Sequence, residues 1–305
     1  FSYWVHKIMG LESIQKVKYG NVRYRNRLAA NIGKFSESTS NLLERTESDC
    51  FFVKEIPRKI LSSDPGSPLV VCRLTDVCSG NVFGVGFAYG AETSEAYRSG
   101  LFFSVAPIDL INRMFGLELI ASDFPVRGIP PSYLSDRGPG ASAIVVKEME
   151  NPPPIREMTP SWDPQSKATS ESSHPRTSET RGQPVHIVSN NTVYQMVKLA
   201  VLQASLDNKI SDASARMTPE MIAAGTLPNP NGVAEYLASR GRNDAINLSV
   251  DRAVRELLLK VSFSADRNGL RLLHQAYRSK AFDKCGLLQK IGKGQAIDLI
   301  GYVMP

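Results

Sequence analysis

The sequence lacks the features that mark several common classes of protein. It has only four cysteines in 305 residues and no Cys-x-x-Cys pair, so neither a zinc site nor a disulfide framework is indicated, and reduced thiols are expected. It contains no phosphate-binding loop of the G-x-x-x-x-G-K-[ST] type and no G-x-G-x-x-G fingerprint. These absences argue against a P-loop nucleotidase and a dinucleotide-dependent enzyme.

Two further absences concern the membrane and the start of the chain. No apolar run approaches the length that is needed to span a bilayer, so no membrane partner is expected. The first residues, FSYWVHKIMG, show neither an initiator Met nor a signal-peptide pattern. We therefore expect the sequence to be an internal fragment of a longer protein.

The composition is that of an ordinary soluble globular protein, with 42% apolar and 22% charged residues, but its charge is unevenly distributed. Residues 1–48 carry eight Lys or Arg against four Asp or Glu, residues 49–238 carry 16 against 20, and residues 239–305 carry 12 against six. An acidic centre between basic flanks suits a metal-dependent phosphodiester site held on DNA, because Lys and Arg contacts to phosphate supply most non-specific affinity. Solvated faces with a chance asymmetry account for the charges equally well.

Two acidic residues stand in settings that favour metal binding. Asp136 follows a short apolar run and precedes Arg-Gly, which predicts a strand that ends at a turn. Glu171 lies 35 positions later, in a segment that is typical of the opening of a helix. A strand-end aspartate and a helical glutamate can converge on one divalent metal, because Mg²⁺ takes one or two protein carboxylates and shares the substrate's phosphate oxygens. The alternative for Asp136 is a turn residue that stabilises its own backbone.

The strings LSDRGPG and PQSKATSESSH, which contain these two acids, resemble the second and third acidic motifs of the DDE transposase and retroviral-type integrase superfamily. The likeness is in particular to the large bacterial Mu-like transposases, and it extends roughly from Tyr3 into the last fifty residues. In that family a strand-end Asp pairs with a helical Glu about 35 residues further on. The spacing in this sequence is the same.

The resemblance also assigns the first acid. In the family this Asp lies on the first strand, one hairpin before a Ser-Gly or Ser-Arg turn, and the Ser79-Gly80 dipeptide fits that turn. Asp49 is therefore the expected first acid, and Asp76, on the next strand, is the competing candidate. Relatives often carry Thr two residues after this Asp, where the present chain has Phe51.

What the resemblance implies is the catalytic core of a DNA transposase. Such an enzyme nicks transposon ends and joins the freed 3′-hydroxyl to target DNA, through phosphodiester hydrolysis and transesterification. Asp49, Asp136 and Glu171 would be both the catalytic residues and the ligands of two Mg²⁺ ions, for which Mn²⁺ can substitute. The implied partners are DNA, further copies of the chain in a homo-oligomer on DNA, and accessory transposition proteins, in the bacterial cytoplasm with the nucleoid.

Two alternatives stay open at this point. An RNase H-like nuclease would share the acids and the metals but would carry out no strand transfer. A catalytically degenerate relative would bind DNA without cleaving it, and Phe51 is the feature that favours it.

Several basic residues are candidates for DNA contact. The cluster that begins at Lys18 interleaves arginines with aromatic and polar residues, as surfaces that follow a nucleic-acid backbone do. Other candidates flank the acids or lie near the basic C-terminal part. The predicted DNA-binding residues are Arg23, Arg25, Arg27, Arg137, Lys167, His174, Arg240 and Arg242.

The expected fold class is α/β, in the form of an α+β mixed sheet. Three runs within residues 47–89, separated by turn residues, predict an antiparallel meander, followed by a helix near 93–106 and a strand that ends at Asp136. This order, with the resemblance, implies an RNase H-like catalytic domain. The predicted domains are a basic linker (1–46), the catalytic domain (47–245) and a basic C-terminal segment (246–305) that resembles the start of a Mu-type β-barrel.

Overall fold

The computed structural model describes residues 2–21, 24, 39–59, 62, 64–135, 155–158, 187–272, 275–292 and 294–304. The α-helices in these ranges are α1 (Ser2–Tyr19), α2 (Ser94–Val105), α3 (Ile108–Phe115), α4 (Val193–Ile210), α5 (Pro219–Ala223), α6 (Pro230–Ser239), α7 (Val250–Leu257), α8 (Lys280–Lys284) and α9 (Leu287–Lys290). The strands are β1 (Thr46–Phe52), β2 (Glu55–Arg58), β3 (Leu69–Asp76), β4 (Val82–Tyr89), β5 (Ser132–Ser135), β6 (Ile155–Met158), β7 (Ile187–Thr192), β8 (Leu259–Asp266), β9 (Gly269–Leu272), β10 (Gln275–Tyr277) and β11 (Ile297–Val303).

The central element is a five-stranded mixed sheet in the order β4-β3-β1-β5-β6. β1, β3 and β4 form the predicted antiparallel meander, in which β1 pairs with β3 and β3 with β4. β5 then pairs with β1 in parallel, and β6 with β5 in parallel. The protein is therefore mixed α/β, and β1 lies in the middle of the sheet between β3 and β5.

Helices cover both faces of this sheet. Leu74 contacts Gly84 and Gly100 on the α2 side, whereas its neighbour Arg73 forms an ion pair with Asp207 of α4. Because successive strand residues point to opposite faces, α2 and α4 must lie on opposite sides of the sheet. Every residue of β3 is buried, which agrees with a strand that is covered on both faces.

The contact between α2 and β4 requires glycine. A Cβ atom built on Gly86 would lie 1.8 Å from the carbonyl oxygen of Ala96, and one built on Gly84 would lie 2.6 Å from that of Gly100. Since real Cβ atoms essentially never come within 3.0 Å of other heavy atoms, any side chain at these positions would push the helix from the sheet. The glycines of VFGVGFAYG thus set the distance between the two layers.

Several helices in the described ranges begin at residues whose side chains cap them. The Thr192 hydroxyl accepts a hydrogen bond from the backbone N–H of Gln195 at the start of α4. Thr218 and Asn229 cap α5 and α6 in the same way, each followed by Pro at the first helical position. Thr93 precedes α2 as predicted, but its side chain makes no capping hydrogen bond.

The C-terminal part contains a second sheet, in the order β10-β9-β8-β11. A small separate hydrophobic cluster centred on Ala265, Phe282 and Ile291 supports it. The preceding helix α7 belongs to the main core instead, because Ala253 and Leu257 pack there. Of the helices in the described ranges, none combines the length and apolarity that a membrane crossing requires.

Candidate active site

Asp49 lies on the central strand and faces the α4 side of the sheet. It is directly opposite Arg73 in the antiparallel pairing of β1 with β3, and directly opposed residues share a face. The Arg73 guanidinium defines that face, because its Nη1 lies 2.7 Å from the Asp207 carboxylate of α4. The first predicted acid and a buried cation therefore project from adjacent strands in the same direction.

Exposure along β1 changes from one end of the strand to the other. Thr46, Glu47 and Ser48 are buried, Asp49 is half-buried, and Phe52 is exposed. The Asp49 Oδ1 atom accepts a hydrogen bond from the backbone N–H of Cys50 at 3.1 Å. Asp49 is thus the first residue of β1 whose side chain solvent can reach.

The buried start of β1 is fixed to β5 by side chains as well as by the ladder. The Thr46 hydroxyl donates to the Ser132 carbonyl at 2.8 Å, and the Ser48 hydroxyl donates to the Leu134 carbonyl at 3.2 Å. These bonds reinforce the parallel register of the two strands, which pairs Thr46 with Tyr133. The position of Asp49 relative to β5 is therefore set over several residues.

Asp76 has a different environment from Asp49. Its side chain is fully buried at the end of β3. Its Oδ1 accepts from the Leu43 backbone N–H at 2.9 Å, and its Oδ2 accepts from the N–H and hydroxyl of Ser79 at 2.8 and 2.6 Å. Burial raises the pKa of this carboxyl above its ordinary value, against these hydrogen bonds and the nearby Arg216. Asp76 holds the turn between β3 and β4.

The sheet order also separates Asp76 from β5. β3 lies on the side of β1 that is away from β5. Asp76 pairs with Thr46, at the beginning of β1, three residues before Asp49 and hence about 10 Å along the strand. The competing candidate is thus one strand further from β5 and at the other end of β1.

Phe51 has a packing role on the same face as Asp49. It follows Asp49 by two residues, which places both side chains on one side of the strand. Its ring lies 5.7 Å from the centre of the Arg73 guanidinium, a geometry that allows a cation–π interaction. Phe51, at the position where members of the resembled family often carry Thr, therefore packs against Arg73.

The Arg73–Asp207 pair was not among the residues predicted for the site. Arg73 is 1% exposed, and Asp207 is held further by Gln203, whose Nε2 donates to Oδ1 at 2.8 Å. Burial lowers the pKa of Arg73, and Asp207 opposes that shift. The signal in the sequence was a single arginine within the otherwise apolar run LVVCRL.

Two of the predicted DNA-binding arginines lie away from Asp49. Arg240 ends α6 and stacks 5.3 Å from the Tyr236 ring. Arg242 lines a cleft of about 240 Å³ together with Cys78 and Arg216. This cleft adjoins the turn after β3, at the edge of the sheet where β1 begins. The structure thus places Arg242 at the opposite end of β1 from Phe52.

The remaining predicted site residues lie outside the described residues. They are Asp136, Glu171, Arg137, Lys167, His174, Arg23, Arg25 and Arg27. Within the described ranges, no three His, Cys, Asp or Glu side chains are placed so that they could hold a metal ion. β5 is described up to Ser135, the residue that precedes Asp136.

Comparison with known proteins gives no family for the chain. No protein-family model matches the sequence, and no curated protein matches it.

Proposed function

We propose that the chain is the catalytic core of a DDE-type DNA transposase with an RNase H-like fold. In this proposal Asp49, Asp136 and Glu171 form the carboxylate set for phosphodiester cleavage and strand transfer. The proposal starts from the two acidic motifs in the sequence. Its support from the structure is the position of β1 and the register between β1 and β5.

The register is the observation that carries the proposal. β1 pairs with β5 so that Thr46 is beside Tyr133 and Glu47 is beside Leu134. The two residues of each pair are 87 positions apart in the sequence, and Asp49 and Asp136 are separated by the same number of positions. Continuation of the same parallel register would bring the two carboxylates side by side on one face. Asp76 lies on β3, which is on the other side of β1 from β5, and would not form such a pair.

The order of the sheet supports the RNase H-like part of the proposal. The resemblance to the DDE superfamily implies a meander of three strands whose first strand is central and is followed by parallel strands on its other side. The order β4-β3-β1-β5-β6, with only the first three strands antiparallel, has that arrangement. A site at the end of two adjacent parallel strands, next to a helix layer, follows from it.

The donor set fits magnesium. Carboxylate oxygens are the ligands that Mg²⁺ prefers, and it keeps room for water and phosphate oxygens. Asp49 suits this role because its side chain is half-exposed, whereas both oxygens of Asp76 accept hydrogen bonds in the core. When bound, Mg²⁺ supplies Lewis acidity and orients the attacking and leaving oxygens of an in-line displacement.

The remaining charges of the chain support DNA as the substrate. The basic flanks, residues 1–48 and 239–305, would hold phosphates on either side of an acidic centre. On the Asp49 face, Arg73 is held by Asp207 and balances part of the negative charge that three carboxylates would bring together. The protein would thus position the DNA with its flanks and position the acids with its sheet.

The test is an assay of cleavage and joining with DNA that carries the element's own end sequence. We expect Mg²⁺-dependent nicks at the transposon end, followed by joined products in which the 3′ end is linked to target DNA. Nicks without joined products would instead identify an RNase H-like nuclease. DNA binding without nicks in either Mg²⁺ or Mn²⁺ would identify a catalytically degenerate relative and contradict the proposal.

A further inference from the structure

Two cysteines occupy directly opposed positions in the central sheet. Cys50 of β1 pairs with Cys72 of β3 in the antiparallel ladder, so their side chains share a face and their Cα atoms are about 4.5–5.5 Å apart. Burial raises the pKa of the Cys72 thiol well above its ordinary value, and the adjacent Cys50 adds to that shift. Both are free in this structure.

This placement meets the Cα-distance requirement for a disulfide. Bridged cysteines have Cα atoms about 4.4–6.8 Å apart, and directly opposed residues of an antiparallel pair fall within that range. The ladder of β1 and β3 continues on both sides of the pair, from Thr46 to Phe52. A bond between the two sulfurs would therefore need side-chain rotation but no change of strand register.

The two thiols differ in their access to solvent. Cys72 is fully buried, whereas Cys50 is half-buried. A small oxidant can therefore reach Cys50 more easily than Cys72. The raised pKa makes Cys72 slow toward reagents in solution, but Cys72 lies directly opposite Cys50, and such proximity favours its reaction with the oxidised Cys50 sulfur.

We propose that Cys50 and Cys72 form a reversible oxidation site for small peroxides. The Cys50 sulfur attacks one oxygen of hydrogen peroxide, so that an S–O bond forms, the O–O bond breaks and one water leaves. The Cys72 sulfur then attacks the Cys50 sulfur, so that the S–S bond forms, the S–O bond breaks and the thiol proton leaves with the hydroxyl as a second water. Two thiols are oxidised, and one peroxide is reduced to two waters.

The cysteine pair lies beside the first predicted acid. Cys50 is the residue after Asp49, so the disulfide would join β1 to β3 beside the first acid. Cytosolic disulfides are usually transient and regulatory, and strained or accessible ones are the more easily reduced. Any effect on DNA cleavage rests on the proposed function, whereas the oxidation itself does not.

The experiment measures the oxidation state of the four thiols and does not depend on DNA cleavage. The fully reduced chain is treated with one equivalent of hydrogen peroxide and alkylated, and its intact mass and peptides are analysed. We expect the number of free thiols to fall from four to two, with a peptide that links Cys50 to Cys72. A thiol reductant should restore all four.

Matched variants decide which thiols are involved. The link should still form in Cys285→Ser, because Cys285 is exposed on a different part of the chain, and it should be absent in Cys50→Ser and in Cys72→Ala. Two outcomes would overturn the inference. One is a Cys50 that becomes sulfinic acid without a link to Cys72, and the other is a pair that stays reduced while Cys285 is oxidised.

Discussion

Asp49 and Arg73 face each other across β1 and β3, and Asp207 of α4 holds the Arg73 guanidinium from the helix layer at 2.7 Å. Through Arg73, the first predicted acid lies next to the contact between the sheet and α4. This arrangement places a fully buried cation on the face from which the Asp49 carboxylate projects.

The Arg73–Asp207 pair should be important for stability. Asp207→Ala would leave the Arg73 charge buried without its carboxylate, and breaking a buried pair costs about 3–5 kcal/mol. We expect a loss of that size in the free energy of unfolding, measured with urea. Glu12→Ala, which removes an exposed pair with Lys16, is the control and should leave the free energy of unfolding almost unchanged. An Asp207→Ala protein as stable as the wild type would show that the pair has no structural role.

Asp76 should matter for folding and not for chemistry. Asp76→Asn would replace one carboxylate oxygen with an amide nitrogen, so that either the Leu43 N–H or the donors of Ser79 would lose their acceptor. Each buried group left unsatisfied costs about 1–3 kcal/mol. We expect the urea midpoint to fall by an amount that corresponds to about 3 kcal/mol. Asp64→Asn, at an exposed loop position, is the control. If Asp76→Asn stayed fully stable but lost all cleavage, the choice of Asp49 over Asp76 would be wrong.

Cys78 should react slowly at neutral pH. Burial raises the pKa of its thiol to about 11, and the nearby Asp76 adds to the shift. Because the thiolate is the reactive form, alkylation of Cys78 should speed up about tenfold per pH unit between pH 8 and 10. The measurement is the rate of iodoacetamide labelling of Cys78, with the exposed Cys285 as the fast reference. Equal rates for the two thiols at pH 8 would contradict the predicted shift.

The N-terminal arginines should contribute to DNA binding through phosphate contacts. The logarithm of the affinity for duplex DNA falls by about 0.9 per phosphate neutralised for each tenfold rise in salt. Replacing Arg23, Arg25 and Arg27 with Ala should flatten that slope by up to about 2.7. Arg113→Ala, an exposed position on α3, should leave it unchanged. A triple variant with the wild-type slope and affinity would identify the cluster as a solvated connector.

Much of the sheet could be predicted from the sequence. Turn residues separate the runs that form β1, β3 and β4, and Thr218 before Pro219 marks the start of α5. These are local signals, and they are sufficient for the meander and for that helix start. The position of β5 beside β1 was predicted from the resemblance and not from the local pattern.

Other contacts could not be predicted, because they depend on distant parts of the chain. β2 pairs in parallel with β7, more than 120 residues later, with Ile56 beside Val188, and neither short segment carries a signal for the other. The Arg73–Asp207 pair likewise joins a strand to a helix, and its two residues are 134 positions apart in the sequence. The structural role of Asp76 became visible only with its three donors in place.

The most direct test of the central claim compares the three acids in one assay. Asp49→Asn, Asp136→Asn and Glu171→Gln are each measured for Mg²⁺-dependent cleavage and joining at the element's end, and for DNA affinity. The proposed carboxylate set predicts that each variant loses both reactions while its DNA affinity stays close to that of the wild type, because a metal ligand and not a phosphate contact has been removed. Cleavage near the wild-type rate in Asp49→Asn, or in either of the other two variants, would contradict the assignment.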